Sequence, residues 1–104
     1  MINSCGISHN DISIIVSVLQ QYEEVTEALL FGSRAKGNFR SSSDVDIALK
    51  GDTLNLEMVT DISYHLNEET YLPYKFDILN YHNISNNDLK KHIDRVGICF
   101  YPEK

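Results

Sequence analysis

The sequence predicts one small domain of the α/β or α+β class, in which a helix layer packs on a sheet. Apolar residues at helical spacing alternate along the chain with short apolar runs that are typical of buried strands. Polar turn residues separate these segments, and no repeat or linker divides the chain. With 104 residues and an ordinary hydrophobic fraction of 42%, the chain can bury one core, so residues 1–104 are interpreted as a single domain.

The predicted order is helix, strand, strand, helix, strand, helix, strand, with a short helical turn after the first strand. The predicted segments, caps included, are 8–22, 27–31, 33–37 for the turn, 45–49, 54–68, 75–79, 85–97 and 98–101. The order of the strands within the sheet does not follow from the sequence.

Start and stop residues bound the predicted helices. Ser8 and Ser85 are placed as N-caps, Pro73 closes the middle helix, and Gly97 ends the last one. The predicted apolar stripes are Ile12, Ile15, Leu19 and Tyr22 in the first helix, and Leu56, Val59, Ile62 and Leu66 in the second. Such stripes indicate helices that bury one face against the sheet.

Carboxylates interrupt two of the predicted strands. Asp44 and Asp46 share one strand face with Ala48, about 6–7 Å apart at their roots, and the opposite face is apolar. Asp77 is the one acid in the apolar third strand. If that strand lies beside the one that carries Asp46, the acids meet and could hold Mg²⁺. The alternative is that Asp44 caps a loop and Asp46 faces solvent.

A turn at Gly32-Ser33 precedes these acids and could offer N–H groups and a hydroxyl to a phosphate. Gly32-Ser33, ten further residues and then Asp44-Val45-Asp46 resemble the G-S-x10-D-x-D signature of the minimal nucleotidyltransferases, in the DNA polymerase β-like superfamily. Asp77 and the order of elements extend the resemblance along the chain. It implies the nucleotidyltransferase fold, with a small mixed sheet.

The resemblance also implies roles for individual residues. Gly32 and Ser33 would bind the β- and γ-phosphates of ATP or another nucleoside triphosphate. Asp44, Asp46 and Asp77 would be catalytic and would bind Mg²⁺, with Asp77 completing the metal site or acting as general base. No Walker A sequence occurs, so a P-loop mechanism has no support.

Two basic residues in the turn, Arg34 and Lys36, are further candidates for nucleotide binding. Their positive charge could lie near the phosphates, and a solvated turn explains them equally well.

The resemblance implies a partner as well. Minimal nucleotidyltransferases pair with small helical HEPN-domain proteins as antitoxins, and some move AMP from ATP to a tyrosine hydroxyl of the HEPN toxin. Two alternatives are a non-catalytic module that neutralises a partner by contact, and nucleotidyl transfer to a small molecule such as an aminoglycoside. The sequence does not settle whether the protein forms an oligomer.

The net charge of −6 disfavours direct nucleic-acid binding, which usually needs a basic face. No apolar stretch approaches the length of a membrane span, so the expected location is cytoplasmic, without a membrane. Cys5 and Cys99 have no metal-ligand spacing and are expected to be reduced thiols.

Histidines and tyrosines are weaker candidates. The histidines have no ligand spacing and are predicted to be at the surface or hydrogen-bonded: His9, His65, His82 and His92. Four tyrosines are interpreted either as packing residues or as part of a partner interface: Tyr64, Tyr71, Tyr74 and Tyr81.

Overall fold

A computed structural model describes residues 5–102 of the chain. Four strands form one sheet, and four α-helices and a short 3-10 turn connect them. The elements are α1 His9–Leu19, β1 Glu27–Phe31, α2 Gly32–Lys36, β2 Val45–Lys50, α3 Leu56–Glu68, β3 Phe76–Asn80, the 3-10 turn Tyr81–Asn83, α4 Asn87–Val96 and β4 Ile98–Tyr101.

The sheet is mixed, with the order β3-β2-β1-β4. β1 pairs antiparallel with both β2 and β4, whereas β2 and β3 are parallel and are joined by α3. β3 is therefore an edge strand, and the strand that carries Asp77 lies beside the strand that carries Asp46. The predicted class and the small mixed sheet are confirmed.

Helices cover both faces of the sheet. α1 and α3 pack on the face formed by Val45, Ile47 and Leu49, and these residues belong to the larger core cluster. α4 lies on the other face, where Ile93 packs with Ala48 and a smaller cluster forms. This second helix layer was not predicted, because the polar positions of α4 conceal its short apolar stripe.

Most predicted boundaries are confirmed, and three details are wrong. The first helix was predicted to reach Tyr22, but α1 ends at Leu19 and Tyr22 lies beyond its C-cap. Leu56 was placed in a buried stripe, but it is 73% exposed. α3 begins there, after the N-cap Asn55, and Leu54 just before the helix is buried instead. Ser85 was placed as the cap of the last helix, but the side chain of Asn86 accepts the N–H groups of the first turn.

The N-cap of α1 is confirmed. The hydroxyl of Ser8 accepts the N–H of Asp11 at 3.1 Å. Within residues 5–102 no helix has the length and hydropathy needed to cross a membrane.

Candidate functional site

The predicted acids meet at the end of the sheet where β1 stops and β2 and β3 begin. Asp46 pairs with Asp77 in the parallel β2–β3 register and with Phe31 in the antiparallel β1–β2 register. Neighbouring strands lie about 4.8 Å apart, so the Asp46 and Asp77 side chains project side by side from the face that α4 partly covers. Asp44 precedes β2 on the same side and is exposed.

Gly32 closes this group from the β1 side. Its φ of +77° is left-handed, a conformation that glycine adopts without strain. A Cβ at Gly32 would collide with the Oδ2 atom of Asp46, so only glycine lets the turn approach this carboxylate. The Gly-Ser turn and Asp46 are thus in direct contact.

The ionised form of Asp46 is destabilised in this environment. Burial above all, and then the negative charges of Asp77 and Asp44, together raise the pKa of Asp46 to about 6. A carboxylate held in this way is stabilised when a cation arrives.

The donor chemistry fits a divalent cation such as Mg²⁺, which prefers hard carboxylate oxygens. Within residues 5–102 no group of three or more His, Cys, Asp or Glu side chains is already arranged as a set of metal ligands. The negative charges of Asp44 and Asp77 act on Asp46, so the three acids lie near one another. The residues fit a cation by their chemistry, and ligation requires their side chains to converge.

Ser33 and Lys36 lie at the two ends of α2. Ser33 is half-buried in the first turn, next to Gly32, whereas Lys36 is exposed. Gly37 ends the helix in the left-handed conformation, and its N–H donates to the Ser33 carbonyl at 3.0 Å. Ser33 thus lies beside the acids, and Lys36 lies one helical turn further on.

Arg34 is in a different environment from either of the two that the sequence suggested. It is only 1% exposed, and its guanidinium donates to the carbonyls of Ser43, Ser41 and Cys5 at 3.0, 3.3 and 2.8 Å. It also packs against the rings of Phe39 and Tyr74. Arg34 therefore anchors the loop that leads into Asp44, and we assign it a positioning role instead of phosphate contact.

The position of His92 beside the Gly-Ser turn was not predicted. Its Nε2 atom accepts the N–H of Gly32 at 3.3 Å, and its ring packs edge-on against Phe31 with centroids 6.2 Å apart. A signal for this position was available, because Leu89, His92 and Val96 lie on one side of α4 and Leu89 and Val96 pack on the sheet.

The tyrosines divide between the two interpretations. Tyr74 and Tyr81 are half-buried, and their hydroxyls donate to Asp11 at 2.7 Å and to Asp94 at 2.6 Å. Tyr64 and Tyr71 are largely exposed.

Comparisons with known proteins identify the family of the chain. The family described as "Polymerase beta, Nucleotidyltransferase" matches residues 13–104. No curated protein matches the chain at a significant level.

Solved structures with a similar fold include chains from toxin–antitoxin complexes. One comes from a toxin–antitoxin complex with AMP-PNP, with a TM-score of 0.71, 22% identity, and coverage of 86% of this chain and 71% of that one. Another comes from the MntA–HepT complex, with a TM-score of 0.67, 19% identity, and coverage of 88% and 70%. A third comes from a tri-AMPylated Shewanella oneidensis HEPN toxin in complex with an MNT antitoxin, with a TM-score of 0.64, 20% identity, and coverage of 85% and 66%.

At these identities the structural matches show the common fold, and the family match covers most of the sequence and includes the Gly-Ser turn and all three acids. The chain belongs to the polymerase β nucleotidyltransferase family.

Proposed function

We propose that this chain transfers AMP from ATP, with Mg²⁺, to a hydroxyl group of a partner protein, a small helical HEPN-domain toxin that it thereby neutralises. The observation that carries the proposal is the Asp46–Asp77 register beside Gly32. This register supports a site in which a nucleotide phosphate and a cation bind next to each other. Structures that share this fold come from complexes with AMP-PNP and with an AMPylated HEPN toxin, which supports the choice of nucleotide and partner.

In the transfer, the acceptor oxygen forms a bond to the α-phosphorus of ATP. The bond from that phosphorus to the oxygen that bridges to the β-phosphorus breaks, and pyrophosphate leaves. Asp77, which is exposed beside Asp46, takes the hydroxyl proton. A bound Mg²⁺ would lower the pKa of the attacking hydroxyl and neutralise charge on the leaving group.

The remaining residues hold the nucleotide and the acids in place. Ser33 offers its backbone N–H and its hydroxyl to the β- and γ-phosphates, and Gly32, whose own N–H is donated to His92, has no side chain to keep the phosphates from the turn. Asp44 and Asp46 supply carboxylate oxygens for the cation, and Arg34 fixes the loop that leads into Asp44. The short distance from the turn to the acids would keep phosphate and cation in contact.

The test is transfer of label from ATP labelled at the α-phosphate. Purified chain is mixed with Mg²⁺ and with the purified product of the neighbouring gene, the expected HEPN-domain partner, and the label on that protein is counted. We expect transfer by the wild type and a loss of at least about a hundredfold in Asp44→Asn, Asp46→Asn and Asp77→Asn. Asp52→Asn is the matched control, because Asp52 is an exposed acid just beyond the far end of β2.

A second readout separates catalysis from neutralisation by contact. If no label moves and the Asp44→Asn and Asp46→Asn variants still inhibit the partner as well as the wild type does, the chain is a binding module and the proposal is wrong. Equal activity of all four variants would likewise contradict the assigned site.

A further inference from the structure

We propose that the outer edge of β3 is a docking site at which an extended segment of the partner protein adds as a further strand and presents the acceptor hydroxyl to Asp77. This inference rests on the proposed function, because it assigns the route by which the acceptor reaches that site. The named occupant is a basic and apolar segment of a protein, paired through its backbone.

The edge of β3 has open backbone groups. Val45 N–H donates to the Lys75 carbonyl at 2.8 Å, so the odd-numbered residues of β3 pair with β2 and the even-numbered ones face outward. At Phe76 the side chain of Asn67 takes the place of a neighbouring strand: it accepts the Phe76 N–H at 2.8 Å and donates to the Phe76 carbonyl at 3.1 Å. The next outward groups, the N–H and C=O of Ile78, have no hydrogen-bond partner within residues 5–102.

A groove follows this edge. It consists of two cavities of about 780 and about 360 Å³ that share Leu56, Val59 and Ile78 as lining residues. The smaller cavity also reaches Leu79 and Leu89, which lie on the α4 side of the sheet. A cavity lined from both faces of a sheet surrounds the strand edge, and this is the space that an added strand would fill.

The surface of the groove indicates the chemistry of its occupant. Leu56 is 73% exposed and Tyr64 is 60% exposed, so the α3 wall offers unburied apolar surface. Glu68 and Lys75 line the groove, and Glu57 and Asp61 are exposed on the adjoining turns of α3, so the acids outnumber the lysine along this border. An apolar segment with flanking Lys or Arg side chains complements this acidic border.

The register connects the groove to the acids. Side chains at equivalent positions of paired strands point to the same face, about 5 Å apart. A residue opposite Asp77 therefore points to the face that carries Asp46, and its neighbour opposite Ile78 points to the α3 face, where Leu56 lines the groove. Asn67 already occupies the edge at Phe76, so the paired part of the segment ends there. The segment that fits has a hydroxyl residue between two apolar residues, so that backbone pairing at Ile78 places the hydroxyl beside Asp77.

The direct test uses a synthetic peptide, KRVYVRK, blocked at both ends, and the ¹⁵N-labelled full chain without nucleotide. Backbone pairing predicts that hydrogen exchange of the Ile78 amide slows at least about tenfold on saturation, with no such change at the β4 edge. Leu56→Arg and Tyr64→Arg are expected to weaken binding of the peptide about tenfold. The matched control is Tyr71→Arg, because Tyr71 is fully exposed but does not line the groove.

Three results would overturn the docking site. The first is unchanged exchange at Ile78 at millimolar peptide. The second is an equal effect of Tyr71→Arg and Tyr64→Arg. The third is a dimer of the chain, detected by sedimentation, that Leu56→Arg dissociates, since the occupant would then be a second copy. Protection of Ile78 by the peptide, with no transfer from labelled ATP to the HEPN-domain partner, supports the docking site and contradicts the proposed function alone.

Discussion

Gly32 and Asp46 are in direct contact: the Oδ2 atom of the carboxylate occupies the position that a Cβ at Gly32 would need. The contact joins the first residue of α2 to the first acid of β2, beside the Phe31–Asp46 pair of the antiparallel register. It explains in physical terms why a glycine stands before Ser33. Any side chain here would move the carboxylate, strain the backbone, or do both.

The Gly32→Ala substitution is therefore expected to abolish nucleotide binding as well as lower stability. The backbone term alone, alanine at a φ of +77°, costs about 1–2 kcal/mol. Because the new side chain also displaces Asp46, Mg²⁺–ATP no longer binds, and the thermal shift that it produces in the wild type is lost. Gly37→Ala is the matched control, because Gly37 has a φ of +87° with nothing near its Cβ position.

Thermal melting with and without Mg²⁺–ATP measures both effects. We expect Gly37→Ala to lose stability by a similar backbone term but to keep the nucleotide-induced shift. If the Gly32→Ala protein keeps the full thermal shift with Mg²⁺–ATP, the position of Asp46 in this structure is not required for nucleotide binding.

The pKa of Asp46 predicts how stability depends on pH in the cation-free protein. The pKa is about 6 in the folded state and near 3.8 when unfolded, so the folded state binds more protons between these values. Stability therefore falls as pH rises from about 4 to about 6 and stays reduced above that. Asp46→Asn removes the penalty, and we expect it to stabilise the cation-free protein by about 1 kcal/mol at pH 7, a value reduced for the partial exposure of the group.

Urea unfolding of the wild type and Asp46→Asn from pH 4 to pH 8, in the presence of a chelator, checks this result. The difference in the free energy of unfolding should open between pH 4 and pH 6 and then remain constant. Parallel pH profiles would contradict the assigned environment of Asp46. Saturating Mg²⁺ should stabilise only the wild type, since the variant lacks the carboxylate.

The sequence predicted the parts of this site that depend on local patterns. The alternation around Asp46 set its strand face, and Asp77 marked a third strand that carries an acid. The pairing of Asp46 with Asp77 depends on the strand order, which local periodicity does not contain. The sequence predicted that Asp46 and Asp77 meet only if their two strands are neighbours, and in the structure β2 and β3 are neighbours.

Arg34 and His92 show that contacts of polar side chains between separate segments of the chain could not be predicted from the sequence. Local sequence allowed either phosphate contact or a solvated turn for Arg34, but the carbonyls of Cys5, Ser41 and Ser43 make its burial possible. His92 lies 60 residues from Gly32 in the sequence, and only the packing of α4 on the sheet brings the two together. Long-range contacts of polar side chains leave little trace in a single sequence.

Arg34→Lys is expected to destabilise the fold, although lysine keeps the positive charge of arginine. One ammonium group cannot satisfy the carbonyls of Cys5, Ser41 and Ser43 together, and it loses the planar packing against Phe39. We expect a loss of about 2–3 kcal/mol in urea unfolding. Arg40→Lys, at an exposed arginine of the same loop, should change stability by less than about 0.5 kcal/mol. Equal effects of the two substitutions would refute the anchoring role of Arg34.

The His92→Phe substitution tests whether the imidazole positions the turn. Phenylalanine keeps an aromatic ring edge-on to Phe31 but offers no acceptor to the Gly32 N–H. Without this hydrogen bond the turn has to be ordered when the nucleotide binds, which costs binding free energy. We therefore expect calorimetry to show that Mg²⁺–ATP binds about three- to tenfold more weakly, a loss that corresponds to one hydrogen bond. His92→Gln, which retains an acceptor, should recover part of the affinity. Tighter binding to His92→Phe would have the opposite meaning, because the imidazole would then compete with the phosphate for the Gly32 N–H.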